Sequence, residues 1–146
     1  MKYWPWFLVG GGLLALLINN RKKMNLTPNF SVWEFASKDG APFPLEVLRN
    51  LKKLAQELEV IRAEVGKPII INSGYRSPEH NAKVGGVKDS MHLTGKAADI
   101  KVVGVNSIDL GRIIEKLISQ GKLKNGGLGV YPNFIHYDIR NNPARW

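Results

Sequence analysis

Phe134-Ile135-His136-Tyr137-Asp138-Ile139-Arg140 decides how this chain is read. Strand alternation puts Ile135, Tyr137 and Ile139 on one face and His136 with Asp138 on the other. One side of such a strand belongs to a core. The other points two groups able to bind metal or move protons into a single space. A second strand, Gly126–Tyr131, precedes it across a turn at Pro132-Asn133, which predicts a hairpin.

Further upstream, Ala97–Val103 reads as a third strand. Ala98, Ile100 and Val102 share one face, and Ala97, Asp99 and Lys101 the other. A carboxylate set among alanines and isoleucine is costly to bury unless it is paired or bound to a metal. Ile69-Ile70-Ile71 is β-branched throughout and reads as a buried strand. Helices fill the intervals. Ser31 and Glu34 have the spacing of a capping box, so a short helix should follow Ser31. Pro44 opens a helix to about Val65, with Leu48, Leu51, Leu54, Ala55, Leu58 and Ile61 at helical spacing; Gly66 and Pro68 end it. Ser77-Pro78 starts a short helix that Gly85-Gly86 breaks. Asn106 or Ser107 caps another, running to about Gln120.

Composition bounds the reading. The 146 residues are 44% hydrophobic and 23% charged, which suits a folded domain of ordinary size. No cysteine is present, so the fold cannot rest on disulfides, and any metal must be held by His, Asp or Glu. The formal charge of +9 favours an anionic partner. Because Lys and Arg are scattered and form no basic helix or recognition motif, nucleic-acid binding is not expected.

Tyr3–Ile18 (YWPWFLVGGGLLALLI) carries no charge and is flanked by Lys2 and by Arg21-Lys22-Lys23. It falls short of the roughly 20 residues of a spanning helix, yet Tyr3, Trp4 and Trp6 stand where interfacial aromatics stand. Residues 1–24 are therefore expected to be a hydrophobic membrane-anchor helix with a basic flank, and 25–146 the folded domain. The basic cluster after the apolar run favours a cytoplasmic domain under the positive-inside rule.

Of the three histidines, His92 lies in a turn before Gly95, and His80 lies in the polar helix after Pro78, as a surface or supporting residue. His92, Asp99 and His136 offer two imidazoles and one carboxylate, a set that suits catalytic zinc with one position left for water. Structural histidines and an aspartate paired with Lys or Arg are the alternative from spacing alone.

Taken together, three motifs are more specific than any one of them: Ser73-Gly74-Tyr75-Arg76-Ser77-Pro78; Ser90-x-His92-x-x-Gly95-x-Ala97-x-Asp99; and Phe134-Ile135-His136-Tyr137-Asp138. Over about Asn25 to Trp146 the chain resembles the D-alanyl-D-alanine carboxypeptidase family of zinc peptidases, which shares its fold with the Hedgehog signalling domain. It closely resembles a short subgroup common in phage and bacterial genomes, which also ends in Ala-Arg-Trp, here Ala144-Arg145-Trp146. The resemblance implies an α+β fold, with helices packed on one side of a small, mainly antiparallel sheet. It implies a Zn2+ ion held by His92, Asp99 and His136, with Arg76 binding substrate or the developing oxyanion and Ser90 supporting the site. The implied substrate is a D-amino-acid-containing peptide bond of peptidoglycan stem peptides, cut by carboxypeptidase or endopeptidase action. A monomer held at the membrane through residues 3–18, facing the cell wall, is the expected setting.

One position departs from the pattern. Many members carry an acidic general base three residues before the last zinc histidine, where this chain has Asn133. Asp138, on the same face as His136, is the expected substitute. In the alternative, Asp138 ligates zinc and His136 moves protons. A non-catalytic, zinc-stabilised wall-binding or virion-associated module is the competing function.

Overall fold

The computed structural model describes residues 24–146. The expected N-terminal hydrophobic anchor, residues 1–24, lies outside the described residues except for Met24. Among those residues, no helix is long and apolar enough to cross a membrane.

The domain begins with a small hairpin, β1 (Asn25–Thr27) and β2 (Phe30–Ser31). It leads into a 3-10 turn at Val32–Phe35 closed by the expected capping box, in which the Ser31 amide donates to Glu34 Oε1 at 2.7 Å. The long helix α1 (Leu45–Val65) starts after Pro44 and ends at Gly66, whose φ of 71° is the left-handed C-cap. Its residues Val47, Leu51, Leu54, Ala55, Leu58 and Ile61 recur every three or four positions and are buried. The second long helix, α3 (Ser107–Ser119), is capped by Asn106, whose side-chain oxygen accepts from the Asp109 amide at 2.9 Å. It buries Leu110, Ile114 and Leu117. Between them lies the short helix α2 (Pro78–Lys83), capped by Ser77.

Both long helices share one core with the inner face of a five-stranded sheet. The remaining strands are β3 (Ile70–Ser73), β4 (Ala97–Lys101), β5 (Gly127–Val130), β6 (Ile135–Asp138) and β7 (Ala144–Arg145). Their order is β3-β4-β6-β5-β7. All pairings are antiparallel except β5 with β7, which is parallel. The architecture is thus α+β with a mainly antiparallel sheet.

Register sets the two faces. Ala98 pairs with Tyr137 and Ile100 with Ile135, and these four belong to the core. Ala97 pairs with Asp138 and Asp99 with His136, and these occupy the opposite face. The core face is sealed at Tyr137, whose buried hydroxyl lies 2.9 Å from both Glu57 Oε2 and the Lys124 carbonyl. Burial pushes that phenol well above its ordinary range.

One expectation needs correcting. The Ile69-Ile70-Ile71 run is not a buried central strand: β3 is the edge of the sheet, and Ile70 is 40% exposed while Ile69 is buried. A β-branched run announces extended backbone, but whether both flanks are covered depends on non-local pairing. The strand β7, too short to leave a sequence pattern, adds the parallel edge.

Candidate metal centre

Three chain segments converge beneath the outer face of β4 and β6. Asp99 comes from the middle of β4, and His136 from the position directly opposite on β6. His92 lies in a 3-10 turn, Met91–Thr94, that ends at Gly95 with φ 72°. The turn is capped by Ser90, whose hydroxyl accepts from the His92 amide at 3.3 Å. One ligand-capable atom from each of His92, Asp99 and His136 lies within 4.8 Å of the others, and all three residues are buried.

The outer hydrogen bonds fix which ring atoms face inward. His92 Nδ1 lies 2.7 Å from the Gly74 carbonyl. A carbonyl only accepts, so Nδ1 carries the proton and Nε2 faces Asp99 Oδ1 at 3.2 Å. His136 Nε2 lies 2.9 Å from Asp138 Oδ2, which leaves Nδ1 facing the same Asp99 oxygen at 2.9 Å. With neutral rings, two nitrogen lone pairs and a carboxylate oxygen point at one another. Protons or a cation must compensate that convergence, and a zinc ion fits the donor set: neutral imidazoles, a carboxylate and outer partners that fix each ring.

Without a metal, these groups lean on one another. Burial opposes ionisation of Asp99, but hydrogen bonds from His136 and His92 outweigh it and hold the carboxyl well below the usual range. Burial likewise disfavours a charged His136, yet hydrogen bonds to Asp138 and Asp99 raise its proton affinity.

Asp138 is wholly buried, and donors surround its carboxylate. Oδ1 accepts from the Gly127 amide at 3.0 Å, the Arg140 amide at 3.1 Å and Arg140 Nε at 2.8 Å. Oδ2 accepts from Arg140 Nη2 at 2.6 Å and from His136. Desolvation is outweighed by these bonds, first those from His136 and Arg140, and the carboxyl is held well below its ordinary range. Asp138 therefore stands behind His136, away from the open cleft.

Arg76 is in the first row of the site. Its Nη2 donates to Asp99 Oδ2 at 3.0 Å and its Nε to Ser73 Oγ at 3.1 Å, while its amide donates to the His92 carbonyl at 3.0 Å. Nη1 remains for a ligand in the cleft that Arg76 lines. The remaining sequence candidate, Ser90, also lines it. His80 does not; Asn133 sits exposed in the β5–β6 turn and does not line it either.

The cleft encloses about 530 Å³. It is lined by residues of the loop from Gly85 to Ser90 and by Tyr131, Phe134, Arg140 and Trp146. Tyr131 and Phe134 stack with ring centroids 4.4 Å apart. Trp146 packs 5.1 Å from the His136 ring, donates from Nε1 to Tyr131 Oη at 2.8 Å, and lies under the Arg140 guanidinium at 5.3 Å. A Cβ at Gly129 would stand 2.5 Å from Trp146 Nε1, so glycine makes room for this indole. Sequence reasoning missed the roles of Gly74, Arg140 and Trp146. The available signals were Arg140 two positions after an inward aspartate and the glycines in β5.

Residues 28–138 match the family profile of peptidase M15. The chain belongs to the peptidase M15 family. It is similar to a probable peptidoglycan L,D-endopeptidase of Haemophilus influenzae, with 42% identity over 72 residues, covering 44% of this chain and 36% of that protein. It is also similar to a zinc D-Ala-D-Ala carboxypeptidase of Streptomyces albus G, with 44% identity over 45 residues, covering 30% of this chain and 18% of that protein. This M15 chain thus matches only a minor part of the length of these two curated relatives. The matched profile contains all three candidate metal ligands, and Trp146 lies beyond its end.

Proposed function

We propose that this M15 chain is a zinc-dependent peptidase that hydrolyses a D-amino-acid-containing bond in peptidoglycan. The observation that carries the proposal is the convergence of His92 Nε2, Asp99 and His136 Nδ1 beside Arg76, at the floor of an open cleft. The two relatives' names, one an endopeptidase of peptidoglycan and the other a zinc carboxypeptidase, support the substrate class.

A bound zinc ion would polarise the scissile carbonyl and acidify the attacking water. The chain's own residues do the rest. Gly74 and Asp138 hold the two imidazoles in the tautomers that present lone pairs inward. The free edge of the Arg76 guanidinium offers donors to a substrate carboxylate or to the oxyanion that develops from the carbonyl. Ser90 keeps the His92 turn in place. Asp138 acts through His136: with every direction of its carboxylate occupied, it has no free position to take a proton from water.

Incubation of the full chain with purified muropeptides, with and without chelator, followed by mass spectrometry, tests the reading. New fragments that disappear with chelator and return with zinc are expected; intact muropeptides in both arms would sink it. Intact muropeptides would instead favour a zinc-stabilised wall-binding module, a second reading kept by Asn133 at the position where an acidic residue was expected. Residues 3–18 are proposed to tether the domain to a membrane, with the wall reached by outward insertion or by release. Protease added to intact spheroplasts tests the orientation: cleavage of the domain is expected, and full protection until the membrane is opened would exclude steady outward display.

A further inference from the structure

Peptide hydrolysis needs a group that accepts a proton from the attacking water and returns it to the leaving amine. The candidates facing the cleft are few. Asp99 and the inward nitrogens of His92 and His136 are committed to the metal set. Asp138 is buried and saturated with donors, and Asn133 lies outside the cleft and takes up no proton. Tyr131 Oη already accepts from Trp146, and a neutral phenol does not gain a proton in water. Arg76 and Arg140 have no acceptor atom. Among the described residues, the remaining side-chain carboxylate lining the cleft is Asp89.

We propose that Asp89 is the proton acceptor of this site, in place of the acid that Asn133 replaces. This rests on the peptidase reading above. Three observations support it beyond elimination. The Asp89 side chain makes no hydrogen bond among the described residues, so its oxygens are available. Asp89 lines the same cleft as Arg140, whose raised proton affinity comes first from its hydrogen bonds to Asp138 and in smaller part from the Asp89 charge. And the loop that carries it is held in place. The Val87 carbonyl accepts from Asn81 Nδ2 at 2.9 Å and from the Ser90 amide at 3.2 Å, and the Gly86 amide donates to the Asn81 carbonyl at 2.8 Å. Asn81 is itself buried. Asp89 thus stands on the same anchored segment as His92, three residues before it.

The step balances without any further reagent. A water O–H bond breaks; the proton goes to the Asp89 carboxylate and the oxygen bonds to the carbonyl carbon. The C–N bond then breaks as the proton passes from Asp89 to the amide nitrogen. One carboxyl group and one amine are released, and Asp89 is ionised again.

The test compares the full chain with Asp89→Asn and Asp89→Glu on one muropeptide, with zinc affinity measured by chelator competition on each. For Asp89→Asn we expect kcat to fall on the order of 10²-fold or more, with KM and zinc affinity within a factor of about three. Asp89→Glu, which keeps a carboxylate, should recover a substantial part of kcat. Parental kcat in Asp89→Asn overturns the assignment and leaves the peptidase reading standing. A kcat loss in both variants together with weakened zinc overturns it as well, since the residue then supports the His92 loop. A parent chain that cleaves no muropeptide overturns both proposals.

Discussion

Replacing Asp138 with Asn separates an orienting role from a proton-carrying one. The change keeps the side chain's shape but removes its charge and one acceptor oxygen. In the parent, Asp138 accepts six hydrogen bonds from four groups: the Gly127 and Arg140 amides, the Arg140 guanidinium and His136 Nε2. An asparagine oxygen can keep only part of that set, and its NH2 must turn towards either Arg140 or His136, both donors. If His136 loses its acceptor, the inward Nδ1 is no longer fixed as a lone pair. Loss of such an outer partner weakens metal binding by about 10- to 100-fold, or about 1.4–2.7 kcal/mol. The metal-free fold should suffer too. Breaking a buried ion pair costs about 3–5 kcal/mol, and the lower end applies, because the Arg140 side chain is 30% exposed and water can reach it. Zinc competition against a fluorescent chelator, with thermal melts of the metal-free protein, measures both. Parental zinc affinity combined with lost turnover would refute the orienting argument and return Asp138 to the role of base.

Arg76→Lys keeps the charge but loses the planar fork, so turnover should fall by more than zinc content does; parental turnover would make Arg76 a structural partner of Asp99 only. Gly74→Ala places a Cβ 2.6 Å from the Phe35 Cα, a backbone atom that cannot step aside. A stability loss of about 1–3 kcal/mol with weaker zinc binding is expected, because the Gly74 carbonyl orients His92; an unchanged melt would contradict the packing. Asp39, held by hydrogen bonds from Ser37, Ser77 and the Ala41 amide, has its carboxyl lowered to about 2. A depressed folded value means that its contribution is present above the unfolded value of about 3.9 and is lost as pH falls towards about 2. Carboxyl chemical shifts of Asp39 followed by NMR should titrate near that low value; a midpoint close to 4 would disprove it.

The sequence is most legible where one element decides its own form. The capping box at Ser31 and Glu34, the apolar spacing of α1, its stop at Gly66 and the alternation of β6 need no distant information. The inward orientation of His136 and Asp138 followed from that alternation. The structure sets them at different depths because Arg140, two residues further on, folds back onto Asp138. A fold-back over two residues leaves no periodic signal. Ile70 was misjudged because an edge strand and a central one share the same β-branched composition. Asp89 was passed over for a related reason: an exposed acidic residue in a turn gains meaning only from the cleft it lines.

The direct pairing of Asp99 with His136 across two antiparallel strands has a consequence for folding. A slip of one residue between β4 and β6 would turn His136 and Asp138 into the apolar layer and bring Ile135 and Tyr137 out towards His92. The mispaired sheet would hold no third ligand, and so gain nothing from metal. An ion present while the chain folds therefore stabilises only the correctly aligned ladder, by an amount that grows with its free concentration. Zinc in this position is a proofreader of strand alignment before it is a participant in any reaction.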